Sequence, residues 1–163
     1  IEVTSETRVL TLGYPVSELV DLSLSAVGPT SVPIDSLIRM RVGITEVYNL
    51  ASWSLVVTYD PSVVEFTHGN KVGLTAGTTL FFSDTGLGEL TISGEVARDA
   101  EPLSGSGAFA ELGFSPREPG MAIFGFGEVN LFMHGAEPIE VGARQGLDFE
   151  ITSEEQPPPS EVF

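Results

Sequence analysis

The chain has 163 residues, no cysteine and a formal net charge of −16, from 23 acidic and 7 basic residues. Disulfides and thiolate metal sites are thereby excluded, and so dense a negative charge disfavours nucleic acid and anionic lipid as partners. With 42% hydrophobic residues, 18 glycines and 11 prolines, the composition fits one turn-rich domain with a sizeable core.

Three parts are expected: an N-terminal strand-like arm over 1–18, a β-sandwich over 19–152 and an acidic, proline-rich tail over 153–163. No stretch approaches the length of a membrane-spanning helix. The chain opens at Ile1 without a charged-then-apolar leader, as a mature exported product or an excised module would. The arm contains "TRVLTLGY" (7–14), with Leu10, Leu12 and Tyr14 on one face, and Pro15 separates it from the strand that starts near Val20. It reads either as an edge strand of the same sandwich or as a surplus strand.

"VDLSLSAV" (20–27) alternates strictly, with Val20, Leu22, Leu24 and Ala26 inward. "GPTSVPIDS" (28–36) is a turn-rich connection. "LIRMRVGI" (37–44) turns Ile38, Met40, Val42 and Ile44 inward and Arg39 and Arg41 outward. In "SWSLVVTYDPSVVEF" (52–66), Trp53, Leu55, Val57 and Tyr59 share one face, and Ser52, Ser54, Val56 and Thr58 the other. Pro61 lacks a backbone donor and ends that strand, while Asp60 bonds the following backbone and shapes a corner. Val64 and Phe66 resume the inward face. A glycine-spaced loop lies around 69–77, then short strands at 79–83, 89–97, 107–114, 121–126 and 146–151. No segment has helical periodicity over ten residues, so the fold class is all-β, a two-sheet sandwich.

The candidate chemistry is thin. "SDTGLG" (83–88) carries the Asp-Thr-Gly triplet of aspartic proteases, which need two facing copies so that two carboxylates share a proton. One copy is present, and it reads as a turn in which Asp84 bonds the backbone and glycine supplies positive φ. His68 and His134 each sit beside a glycine in an expected loop, without the i, i+4 companion of a metal site. "LSGSGAF" reads as a hairpin. Asp84, Asp99, Glu101 and Glu118 are the carboxylates from which a calcium site could be assembled, but without an Asp-x-Asp-x-Asp loop they read as solvated. No catalytic residue is assigned and no cofactor or metal is expected. Trp53, Phe66, Phe114, Phe124, Phe126 and Phe149 are assigned to the core. Phe81, Phe109 and Phe132 are the outward aromatics from which a sugar-binding strip could be built.

The order of these motifs resembles the cohesin family, the β-sandwich modules of cellulosomal scaffolds and related surface proteins. "LASWSLVVTYDPSVVEF" is similar to the family's third and fourth strands around a Tyr-Asp-Pro corner. "GSGAFAELGFSPREPG" is similar to its Gly-x-Phe-Ala strand and Pro-Gly turn, and "GLDFEI" to its closing strand. The resemblance spans about residues 20–151 and implies a jelly-roll-like sandwich in which the corner is structural. It also implies that one sheet face docks the calcium-bearing dockerin module of an enzyme. Carried over, that face comprises Ser52, Ser54, Val56 and Thr58 with Thr91, Ser93 and Glu95 opposite. Ser54 stands where many members hold aspartate, and residues 1–18 have no counterpart.

The expected function is therefore non-catalytic protein–protein assembly outside the cell. The first reading is a subunit of a self-assembling surface fibre, lending Arg8, Val9, Leu10, Thr11, Leu12 and Tyr14 as a strand to a neighbouring copy. The alternative is a module that binds a dockerin-type partner on its sheet face, and the third is a carbohydrate-binding module.

Overall fold

Eleven strands and two single 3-10 turns make up residues 19–97 and 99–153, which the computed structural model describes. The strand expected at 7–14 and the tail beyond Ser153 lie outside the described residues. In chain order the strands are β1 Val20–Ala26, β2 Ser31–Pro33, β3 Ile38–Thr58, β4 Val64–Lys71, β5 Thr79–Asp84 and β6 Glu89–Glu95. The remainder are β7 Leu103–Pro116, β8 Gly120–Met133, β9 Pro138–Ile139, β10 Val141–Gln145 and β11 Leu147–Thr152.

The strands expected at 37–44 and 52–59 are one. β3 runs for 21 residues and serves both halves of a curled sheet. Its first half pairs with β1 (Leu24↔Val42) and β7 (Met40↔Leu112), and its second half with β6 (Leu55↔Ile92) and β8 (Leu55↔Val129). Between them the strand is bent by irregular pairing, with Glu46 at φ 48° and Asn49 at φ 60°. Their amides donate to the Ser106 and Ser104 hydroxyls at 2.7 and 3.1 Å, so the bend leaves neither donor unpaired.

The inner faces of the two halves meet in a single core. Trp53 packs edge-on against Phe109 with ring centroids 5.1 Å apart, and Tyr59 against Phe114 at 5.2 Å. Leu55, Val57, Leu90, Ile92, Leu112 and Phe114 are buried there, as their alternation requires. Gly94 lies beneath the Trp53 ring because a Cβ would collide with the Thr79 carbonyl oxygen and come within 2.9 Å of the indole. Phe66 and Phe126 pack against this core while remaining partly exposed.

Three sequence expectations are corrected. Phe109 is buried rather than outward: β7 is irregular between the Val42↔Ala110 and Gly43↔Ala108 pairs, and the extra residue at that bulge turns in. "LSGSGAF" is no hairpin but the continuous first half of β7, paired to β3 through Leu50↔Leu103 and Ile44↔Gly107. His68 belongs to a strand, β4, and its ring lies over Gly113 of β7, where there is no room for a Cβ. The corner after Thr58 is as expected: Asp60 Oδ1 accepts from the Ser62 amide at 3.0 Å and hydroxyl at 2.7 Å, which holds its carboxyl below the usual range.

Candidate functional site

The second half of β3 has one inward and one outward row of side chains. The outward row lies in register with its neighbours: Ser52 faces Glu95, Ser54 faces Ser93 and Val56 faces Thr91 on β6, and Thr58 pairs with Glu89. The family resemblance implies that Thr91, Ser93 and Glu95 lie opposite this row, and the pairing brings them together. β5 extends the surface outward, with Phe81 next to Ser93 and Ser83 next to Thr91. On the other flank β8 adds Asn130 beside Ser54 and Phe132 beside Ser52.

The result is a four-stranded face whose middle is made of small, mostly hydroxyl-bearing side chains. Gly125 and Gly127 leave room for Thr58 and Val56; a Cβ on Gly127 would sit 3.2 Å from the Val56 side chain. Phe81 is 60% exposed and stands above this plane, a large apolar group left without cover. Glu89 and Glu95 on β6 and Glu128 on β8 are exposed acidic residues of the same strands. Sequence reasoning missed the contribution of β8. The signal is present in "EVNLFM", where Val129 and Leu131 alternate with Glu128, Asn130 and Phe132.

The other candidates are dispersed. Asp84 accepts a hydrogen bond from the Tyr59 hydroxyl rather than from the turn backbone. Burial, and then that bond, push the Tyr59 hydroxyl well above its usual range. The turn itself is set by Thr85, whose amide donates to the Glu89 carbonyl at 3.1 Å and whose hydroxyl accepts from the Leu87 amide at 3.0 Å. Gly86 and Gly88 supply φ of 80° and 98°. Asp99 and Glu101 lie in the β6–β7 connection and Glu118 in the β7–β8 turn. Among the described residues no three His, Asp or Glu side chains gather as a metal-holding group.

His68 Nδ1 lies 2.9 Å from the Thr67 hydroxyl, on β4 beside β7 and away from this face. His134 lines a shallow hollow of about 370 Å³ with Ser52 and Glu95 at the end of that face. Of the three aromatics considered for sugar, Phe109 is internal. Phe81 and Phe132 share a face but sit on β5 and β8 with β6 and β3 between them and two residues out of line, roughly 16 Å apart at ordinary strand spacing. They form no continuous strip. Among the described residues no helix is long and apolar enough to cross a membrane.

No protein-family model and no curated protein matches the chain. Solved structures do match it. A non-cellulosomal cohesin from the hyperthermophilic archaeon Archaeoglobus fulgidus aligns over 82% of this chain and 92% of its own, with TM-score 0.67 and 18% identity. The chain has a cohesin-like fold. A type I cohesin–dockerin complex from Clostridium thermocellum matches at TM-score 0.67 and 13% identity, over 82% of this chain and 94% of that one. The cohesin module of a family 33 glycoside hydrolase from Clostridium perfringens matches at TM-score 0.69 and 9% identity, over 82% and 98%. At such identities the likeness is one of fold.

Proposed function

We propose that this cohesin-like chain is a non-catalytic protein-binding module of the cell exterior, and that it captures a dockerin-type module on the face built by β5, β6, β3 and β8. The observation that carries this reading is the unbroken register Phe81–Ser93–Ser54–Asn130 across four strands, small and polar in its middle and apolar at one end. Several solved structures of the same fold are cohesins in complex with dockerins, which supports a partner of that class. Ser52, Ser54, Thr58, Thr91 and Ser93 offer hydroxyls that donate or accept, Phe81 and Val56 offer apolar contact, and the carboxylates of Glu89, Glu95 and Glu128 favour a partner carrying lysine or arginine. The non-catalytic reading rests on the dispersal of the acidic residues and histidines, with Asp84 engaged by Tyr59.

The test is binding of a panel of calcium-loaded dockerin modules. Ser54→Arg places a long cation at the centre of the face, where hot spots concentrate. It should weaken by about a hundredfold or more the binding that Ser25→Arg, on the exposed side of β1, leaves intact. Equal binding by wild type and Ser54→Arg removes this face from consideration.

A second reading is a fibre subunit that lends residues 7–14 to a neighbouring copy. What favours it is that, among the described residues, β2, β4 and β5 each pair on one side only. An added strand gains main-chain hydrogen bonds along such an edge. Light scattering of the full chain with rising salt separates the two, since like-charged subunits assemble better when screened.

A further inference from the structure

At the end of the sandwich where β1 begins lies a cavity of about 470 Å³ that the sheet face does not use. Its walls include Val20, Tyr48, Met133 and Ile139, with Glu46 and Glu140 as its acidic members. Val20 is buried, Met133 and Ile139 are half-buried, and both glutamates are exposed. Tyr48 is 69% exposed, an unusual position for an aromatic residue in the middle of the longest strand. The two left-handed residues, Glu46 and Asn49, flank it, and the Ser106 and Ser104 hydroxyls hold the bend that turns it out.

We propose that this cavity receives residues 8–14 of the same chain. The described chain begins at Leu19, next to Val20 in the cavity wall. Residues 15–18 can span up to about 13 Å when extended, enough to bring Tyr14 and Leu12 back to it. Arg8, Leu10, Leu12 and Tyr14 share one face of an extended segment, three apolar groups and one cation. The lining answers each: Val20, Met133 and Ile139 take apolar groups, and the two carboxylates with the Tyr48 ring take a guanidinium. Arg8 is the only basic residue before Arg39, so it is the one cation this part of the chain offers.

A four-residue connection gives an effective concentration in the millimolar range, so a chain's own segment outcompetes a neighbour's at ordinary protein concentrations. The inference goes beyond the sheet-face reading. For the fibre reading it supplies a closed form, from which lending the strand would be an exchange of identical contacts between copies.

The absence of cysteine makes disulfide trapping clean. In the full chain, Leu12→Cys with Glu140→Cys is compared with Leu12→Cys with Ser54→Cys, under mild oxidation, on a non-reducing denaturing gel. The cavity pair should close within one chain at least tenfold faster than the control pair. Adding Arg8→Glu should slow that closure severalfold at low salt and less at high salt. Tyr14→Cys with Tyr48→Cys guards against unfavourable geometry in the first pair. If neither pair closes faster than the control, the cavity does not hold the segment. Disulfide-linked dimers or ladders in place of monomers overturn the own-chain occupant and leave strand lending standing. Neither result touches the sheet-face reading, which Ser54→Arg reads separately.

Discussion

The two halves of β3 face solvent in opposite ways. On the first half the outward residues are Arg39 and Arg41, and the chain answers them itself. Glu111 of β7, 8% exposed, accepts from Arg39 Nε at 3.2 Å and lies 3.4 Å from Arg41 Nε. The hydrogen bond from Arg39 holds the Glu111 carboxyl below its ordinary range against the opposing effect of burial. On the second half the outward residues are Ser52, Ser54, Val56 and Thr58, whose neighbours are again small, with uncovered Phe81 beyond. One strand thus carries a face that satisfies its own charges and a face that leaves its hydrogen-bonding groups and an aromatic ring to water. The difference separates a surface whose charges are met within the chain from the one proposed to meet a partner.

The comparison breaks most completely if the core common to both halves is removed. Trp53→Ala should cost about 3–5 kcal/mol, from lost burial and the cavity left beside Phe109. Denaturant unfolding checks it, and a loss below about 1 kcal/mol would mean that the indole is not part of the shared core. Next comes Ser54→Arg. It should weaken dockerin-type binding by about a hundredfold or more, roughly 2.7 kcal/mol, while leaving the unfolding midpoint nearly unchanged.

Glu111→Gln should do the reverse. Stability falls by about 1–2 kcal/mol, because two arginines lose a charged acceptor, while binding at the other face is unaltered. The pH dependence has a definite sign. With the folded carboxyl depressed, its contribution is fully present above the unfolded glutamate value and fades as pH falls through the folded one. Urea midpoints measured from pH 6 downward should therefore converge for wild type and Glu111→Gln, and parallel curves would assign Glu111 no role in acid stability.

The smallest effect is expected at Asp84→Asn. An amide oxygen can still accept from the Tyr59 hydroxyl but lacks the charge, so a loss of about 0.5–1.5 kcal/mol is expected and binding should be unaffected. Peptide cleavage by wild type that vanishes in this variant would overturn the non-catalytic reading.

Much of this was legible because a strand's side chains alternate by local geometry. The inward set Trp53, Leu55, Val57 and Tyr59, the corner at Asp60-Pro61, and the outward set from Ser52 to Thr58 all come from period two and from proline's missing donor. The placement of Ser93 opposite Ser54 comes from the family resemblance, because alternation assigns faces and not strand partners. What alternation could not decide were the points where it is broken by a partner strand. Phe109 occupies an odd position in its own strand and turns inward only because β3 imposes a bulge there. The fusion of two expected strands into β3 depends on Ser104 and Ser106, some 55 to 60 residues away in the chain, accepting two bent amides. The bond between Tyr59 and Asp84, the capture of Arg39 and Arg41 by Glu111, and the cavity beside Tyr48 likewise join residues far apart in sequence. Local sterics determine which way a side chain points along a regular strand. Only the packing of distant strands determines where that regularity must fail.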